Sequence, residues 1–442
     1  MTLPSQSLSR FEKNLSRSLT TRGKNLLASA NLVQAVSELE PLEVYFIVKE
    51  LGIGTATPIL LAASADQLQA FVDLDCWESD QLNLVELDAW LAPFAGLGPH
   101  ALTAAFLSLD EEIQVVYLKQ ALVLLVKEDK DDNPSTGRPV PSMTTPDHTF
   151  VVEVVDPEAD REIEPLELVR ALYRFAGPSR AFSVLMQAHG EMVGSLTEQA
   201  YQFRSGRLQE MGFPTPEDAK QLFTPPPSEA PGVVPPKLGD SLRHLPAVYA
   251  SPLEGESLLS IALSRVESQA LAEHLESSLM YLVNRAMIAY GEPPRHIDHA
   301  KTIAERTTAT ISLGLECLLS ADTPISPESW GGYAEDAERL LHAWPMRDLF
   351  RRGFQASIEL RRAAHDLISD PVAQNWFTRH ENETDDYSQD RRDRAFLRAL
   401  LAEHPLESGF NPLKPDEVRA FGSKTALEQA AARLNTLAGR LL

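Results

Sequence analysis

Three residues of one segment carry the clearest binding chemistry in this sequence: Tyr201, Arg204 and Arg207. Arginines three apart share one face of a helix, and their planar guanidinium forks match the oxygens of a phosphate or a carboxylate. The same spacing equally suits ion pairs with Glu198, Glu210 or a carboxylate of another helix, and pairing is the usual fate of a buried guanidinium. Both readings stay open. A second constellation is His296, Asp298 and His299, with Glu273 and His274 one helix away. Imidazoles and a carboxylate three or four apart on a helix can share a metal ion. Against the metal, Asp298 is well placed to cap a helix that follows a polar turn.

Catalytic motifs are missing. The sequence has no Gly-x-Ser-x-Gly, no His-Glu-x-x-His, no Cys-x-x-Cys and no Gly-rich phosphate loop. The run Gly422-Ser423-Lys424-Thr425 lacks both the upstream glycine and the Gly-Lys order of a P-loop. No catalytic residue and no cofactor is therefore assigned. Asn284 and Arg285 interrupt an apolar helix, where Glu316 of the facing helix is the expected partner. Arg351, Arg352, Arg361 and Arg362 form a basic face, suited to an acidic partner or to the acidic run at 381–390.

The elements that must position these residues are helical. From Glu256 to Tyr290 no Pro or Gly intervenes, and apolar residues recur at helical spacing, which predicts one helix about 50 Å long. Gly291 caps it, and a second helix is expected from Asp298 to Leu319. Further helices are expected at 333–343 and 346–368, and a last one from Thr425, capped by Glu428, to Leu441. Together they predict a helical bundle over 237–442.

The N-terminal half reads differently. Residues 1–24 are polar and Ser-rich, without a signal-peptide core, and are expected to form an arm. Residues 25–130 alternate short helical patterns with turns, among them a helix opened by Ser64 and Gln67 as a capping box. Leu68–Val72 and Ile113–Tyr117 hint at a repeat of two- or three-helix units, although two unrelated helices account for the likeness equally well. Polar residues at 131–148 suggest a linker, and 149–236 a connecting region with one strand, Phe150 to Val155. Leu122 to Val126 either pairs with that strand or ends a helix. The fold class is thus mainly α: a short-helix superhelical module, then a bundle, with at most a minor β-hairpin.

The stretch Tyr201-x-Phe-Arg-x-Gly-Arg-Leu-x-x-x-Gly-Phe-Pro214, with Asp73-Leu74-Asp75-Cys76-Trp77 upstream and Leu349-Phe350-Arg351-Arg352-Gly353 downstream, resembles an uncharacterised family of bacterial helical proteins over about Leu32 to Leu442. The resemblance implies a helical fold and brings no catalytic residue. The short-helix half also resembles the helical superhelix of magnesium-transporter intracellular domains and of flagellar motor-switch proteins.

Composition bounds the partners. A net charge of -23 over 442 residues repels nucleic acid and anionic membrane surfaces at long range. No apolar run reaches the roughly 20 residues of a spanning helix, and two distant cysteines suit a reducing compartment. The expectation is a cytoplasmic, non-enzymatic interaction or scaffold protein with a protein partner of unknown identity, no nucleic acid and an undefined oligomeric state. The alternative is an enzyme of an unrecognised class with a metal or phosphate site in the bundle. Tyr45, Trp77 and Trp90 are the aromatic residues expected to anchor a partner.

Overall fold

Ser64 accepts a hydrogen bond from the Gln67 amide at 3.2 Å, and Gln67 accepts one from the Ser64 amide at 3.0 Å. This reciprocal cap satisfies two amide donors that helix geometry leaves unpaired, and the helix Ala65–Asp75 begins there, as its sequence predicts. The computed structural model describes residues 19–129, 131–190, 192–229, 245–254, 257–291, 295–320, 323–378, 389–411 and 417–442. These fall into two units, the first Leu19–Met211 and the second beginning at Gly212.

The first unit contains α1 (Leu19–Leu27), α2 (Leu32–Ser37), α3 (Pro41–Leu51), α4 (Ile53–Leu61), α5 (Ala65–Asp75), α6 (Leu84–Gly96), α7 (Pro99–Ser108) and α8 (Glu111–Ala121), then α9 (Pro165–Ala171), α10 (Pro178–Gly190) and α11 (Val193–Glu210). α1 begins inside the stretch expected as an arm; residues 1–18 lie outside the described residues. A hairpin of β1 (Trp77–Glu78) and β2 (Gln81–Leu82) follows α5. β3 (Leu122–Val126), β4 (Ser142–Thr144) and β5 (Phe150–Val154) form an antiparallel sheet with β5 in the centre. Of the two fates open to Leu122–Val126, strand pairing is the one observed. The 131–148 segment supplies an edge strand, and the Ser135 hydroxyl and the Thr136 amide donate to the buried Glu153 carboxylate at 2.8 and 3.1 Å.

Buried acids tie the short helices together. Asp75 accepts from the Tyr45 hydroxyl at 3.0 Å, Lys49 Nζ at 2.9 Å and Trp90 Nε1 at 2.9 Å, which joins α3, α5 and α6. Asp88 accepts from the Tyr117 hydroxyl at 2.8 Å and from Arg161 at 3.0 Å. Tyr45, Phe71 and Trp90 pack ring on ring beside Asp75, with centroids 5.1 to 6.2 Å apart. Tyr45 and Trp90 have no exposed surface and Trp77 only 5%, so the three expected partner anchors are core residues.

The second unit contains α12 (Pro216–Lys220), α13 (Ala247–Ala250), α14 (Leu258–Ser264), α15 (Gln269–Tyr290), α16 (Ile297–Leu319), α17 (Ala334–Ala343), α18 (Met346–Ile368), α19 (Pro371–Thr378), α20 (Gln389–Leu401) and α21 (Lys424–Leu441), with a hairpin of β6 (Glu407–Ser408) and β7 (Val418–Arg419). The single long helix expected from 256 to 290 is two. Ser268 caps α15 by accepting from the Leu271 amide at 3.4 Å, and that local bond competes with continued helix through 265–268. Gly291, with φ +73°, ends α15 as expected. α16 and α18 cross where Gly314 faces Leu349 and Gly353 faces Thr310; a Cβ on either glycine would overlap the opposite backbone. Glu316, fully buried, accepts from the amides of Ile325 at 2.8 Å and Lys424 at 2.9 Å, so it fixes the start of α21 and is not the partner of Arg285. Asn284 accepts instead from the Tyr249 hydroxyl at 2.7 Å. The cap of α21 is Ser423, which accepts from the Ala426 amide, rather than Glu428.

Candidate binding site

α11 brings Tyr201, Arg204 and Arg207 to the C-terminal end of α5, and the two arginines meet different fates. Arg207 commits four of its five N–H donors to carboxylates. Its Nε and Nη2 donate to the two oxygens of Asp73 at 2.6 and 3.0 Å, while Nη1 donates to Asp110 and Glu112, each at 2.6 Å. Asp73 has no exposed surface, and its Oδ1 also accepts from Gln69 Nε2 at 3.0 Å. Gln69 in turn accepts from the Asp110 amide at 2.9 Å. Burial pushes the Asp73 carboxyl up and opposes the charge of Arg207. Asp73 and Glu112 outweigh the second effect, so Arg207 holds its proton more firmly than usual. Of the two roles open to Arg207, the structure shows the ion-paired one.

Arg204 is placed otherwise. Its Nε donates to the Asp73 backbone oxygen at 2.8 Å, and its guanidinium lies over the rings of Trp77 and Tyr201, 5.2 and 6.0 Å from their centroids. Burial lowers its pKa, because desolvation disfavours the charged form. Among the described residues no carboxylate lies within 4 Å of this guanidinium, since the nearby Asp73 carboxylate is occupied by Arg207. One residue away, Phe203 is 52% exposed. An arginine stacked on aromatic rings with donors in reserve can receive an acidic group, and Phe203, about 100° further round α11, offers an exposed apolar side chain.

Of the three histidines, His296 and His299 come together and His274 does not. His296 and His299 rings are 5.0 Å apart at the start of α16, where Asp298 is exposed and pairs with Lys301 at 3.7 Å. His274 lies on α15, 16 residues before Tyr290 and so about 24 Å along the helix from its C-terminal end. Its Nε2 meets the Ser278 hydroxyl at 3.5 Å, and burial lowers its pKa. Among the described residues no three His, Cys, Asp or Glu side chains are grouped to hold a metal ion. Cys76 is fully buried, and desolvation pushes its thiol well above the usual range, which leaves it a poor nucleophile.

The basic face of α18 also finds partners. Arg352 donates to the Pro227 carbonyl at 2.9 Å and lies 4.5 Å from the Trp344 ring centroid, and Arg361 donates to the Glu403 carbonyl at 3.1 Å. Most of the acidic run offered as their match, 381–388, lies outside the described residues. Sequence reasoning missed Asp110 and Glu112 as partners of Arg207, because about a hundred residues separate them from it. Asp73, by contrast, stands inside the run quoted beside the arginine motif.

The chain is thus a mainly helical protein whose short-helix unit is tied together by buried ion pairs. Residues 6–441 match the family of unknown function DUF6178, and the chain belongs to that family. No curated protein and no solved structure matches the chain. Among the described residues no helix is long and apolar enough to cross a membrane.

Proposed function

We propose that this is a non-enzymatic interaction protein, and that the α11 face around Tyr201, Phe203 and Arg204 receives a protein partner. The observation that carries the reading is Arg204: a stacked, largely desolvated guanidinium without a carboxylate partner in a strongly acidic chain. Arg, Tyr and Trp are the residue types on which interface energy concentrates. The matching partner surface presents a carboxylate to Arg204 and an apolar side chain to Phe203. Buried ion pairs at Asp73, Asp75 and Asp88 hold the short helices in register, so the face is preorganised and little ordering entropy is lost on docking. A metal-dependent activity at His274, His296, Asp298 and His299 gains no support from the geometry.

Full-length protein used as bait in a lysate of its own cells tests the reading through Phe203→Asp. The exposed substitution leaves the melting curve unchanged, and a protein captured in stoichiometric amount by the wild type is lost. Unaltered capture by the variant contradicts it.

A further inference from the structure

Arg285, on α15, lies close enough to Arg347 and Arg351, on α18, for their charges to oppose its own. Arg285 Nη1 points to the Asp218 carbonyl at 3.5 Å, and Arg351 Nη2 donates to the Gln221 carbonyl at 2.7 Å, so both guanidiniums meet the end of α12. Arg347 and Arg351 share one carboxylate, with Arg347 Nε 3.6 Å and Arg351 Nη1 3.2 Å from the same oxygen of buried Asp348. Among the described residues no carboxylate lies within 4 Å of Arg285, and its Nε and Nη2 have no hydrogen-bond partner. Among the described residues Asp218 is the one acidic group close enough to favour its charge.

Three guanidiniums therefore face two carboxylates, in a chain where acids outnumber bases 63 to 40. The crowding is felt: burial first, then the neighbouring Arg347 and Arg351 charges, lower the pKa of Arg285, and burial with Arg347 lowers that of Arg351. Burying like charges together without a counter-charge is unfavourable, and carboxylates to neutralise them are abundant in this sequence. The cluster remains open to solvent, since the Arg347 side chain is 50% exposed.

We infer that Arg285, Arg347 and Arg351 form a site for a phosphate group, borne by a soluble phosphate compound or by a lipid headgroup. A tetrahedral dianion accepts from the remaining donors of Arg285 and Arg347 and supplies the missing counter-charge, while Arg351, whose Nη atoms are held by Asp348 and Gln221, adds its positive charge. Bonds to the end of α12 hold the Arg285 and Arg351 guanidiniums in place before a ligand arrives. This site lies in the second unit and does not depend on the docking face of α11.

Thermal melts and calorimetry on the full-length protein test it, with inorganic phosphate and pyrophosphate compared against chloride at equal ionic strength. Cosedimentation with phosphatidylcholine vesicles, with and without phosphatidic acid, separates the lipid source. At least one of these phosphates should bind the wild type, with a rise in Tm for a soluble ligand, and Arg285→Gln should weaken that binding at least tenfold. In chloride alone Arg285→Gln should melt no lower than the wild type, because its removal relieves repulsion. Arg347→Gln, at a half-exposed position, should show the same loss of phosphate binding and guards against a folding defect at 285. A response to soluble phosphates identifies a soluble ligand; binding only to phosphatidic acid vesicles identifies a headgroup. Absence of any arginine-dependent binding to either overturns the site, as does a Tm of Arg285→Gln well below wild type in chloride together with unchanged phosphate binding by Arg347→Gln.

Discussion

Arg207 joins α11 to α5 and to the start of α8 through three carboxylates, one of them with no contact with solvent. Arg207→Ala leaves Asp73 buried and uncompensated, and should destabilise the protein by about 3 to 5 kcal/mol in chemical denaturation. The double variant Asp73→Leu with Arg207→Met should recover a large part of that loss, since the penalty lies in the stranded charge. If Arg207→Ala unfolds with the wild-type midpoint, the guanidinium is not a clasp. His404 supplies the pH-dependent case. Its ring packs against Phe223, Tyr290 and Phe354, with centroids 4.2, 4.4 and 5.6 Å away, and its Nδ1 is buried without a partner. Burial lowers its pKa to about 4, from an ordinary value near 6.5; the Arg306 and Arg361 charges add to the fall and Glu403 opposes it. Between those values the unfolded chain binds a proton that the folded one excludes, so stability falls as pH drops through the window. Tm of His404→Phe minus Tm of wild type should therefore grow from pH 7 to pH 4; a difference that stays constant contradicts the assignment. Neither His404 nor Arg204 could be separated from its neighbours in the sequence, because what distinguishes each is the set of rings that the fold places around it.

Elements were legible where local bonds decide them. The 346–368 helix lies where its apolar stripe predicts, and the Ser64 capping box and the Gly291 cap are as expected. Where two local signals compete, periodicity misled: an unbroken helical pattern from 256 to 290 concealed the Ser268 cap that splits it. The same limit applies to glycines, whose role depends on what lies opposite. Gly314 and Gly353 each face the backbone of the other helix, so Gly314→Ala or Gly353→Ala must force α16 and α18 apart, at about 3 kcal/mol. Gly206, within α11 and with nothing within 4 Å of an added Cβ, should instead gain about 0.5 to 1 kcal/mol on substitution by Ala. Denaturant midpoints check the contrast, and equal effects at Gly206 and Gly314 would remove the close crossing as the cause.

At the scale of the whole molecule, the helical spacing of apolar residues predicted a mainly helical chain, but the partners of its charged residues were hidden. Asp88 and Arg161 are 73 residues apart, and Asp73 and Arg207 are 134 apart. Only the folded chain shows that Arg207 is neutralised locally while Arg204 is held on rings without a carboxylate partner. That asymmetry is the basis for reading the protein as one that binds another protein through α11. Quantitative mass spectrometry of proteins retained by wild type, Phe203→Asp and Arg285→Gln baits, all full-length and matched for Tm, tests it most directly. The account predicts a stoichiometric partner retained by wild type and Arg285→Gln and reduced at least tenfold by Phe203→Asp; equal retention by all three would contradict it.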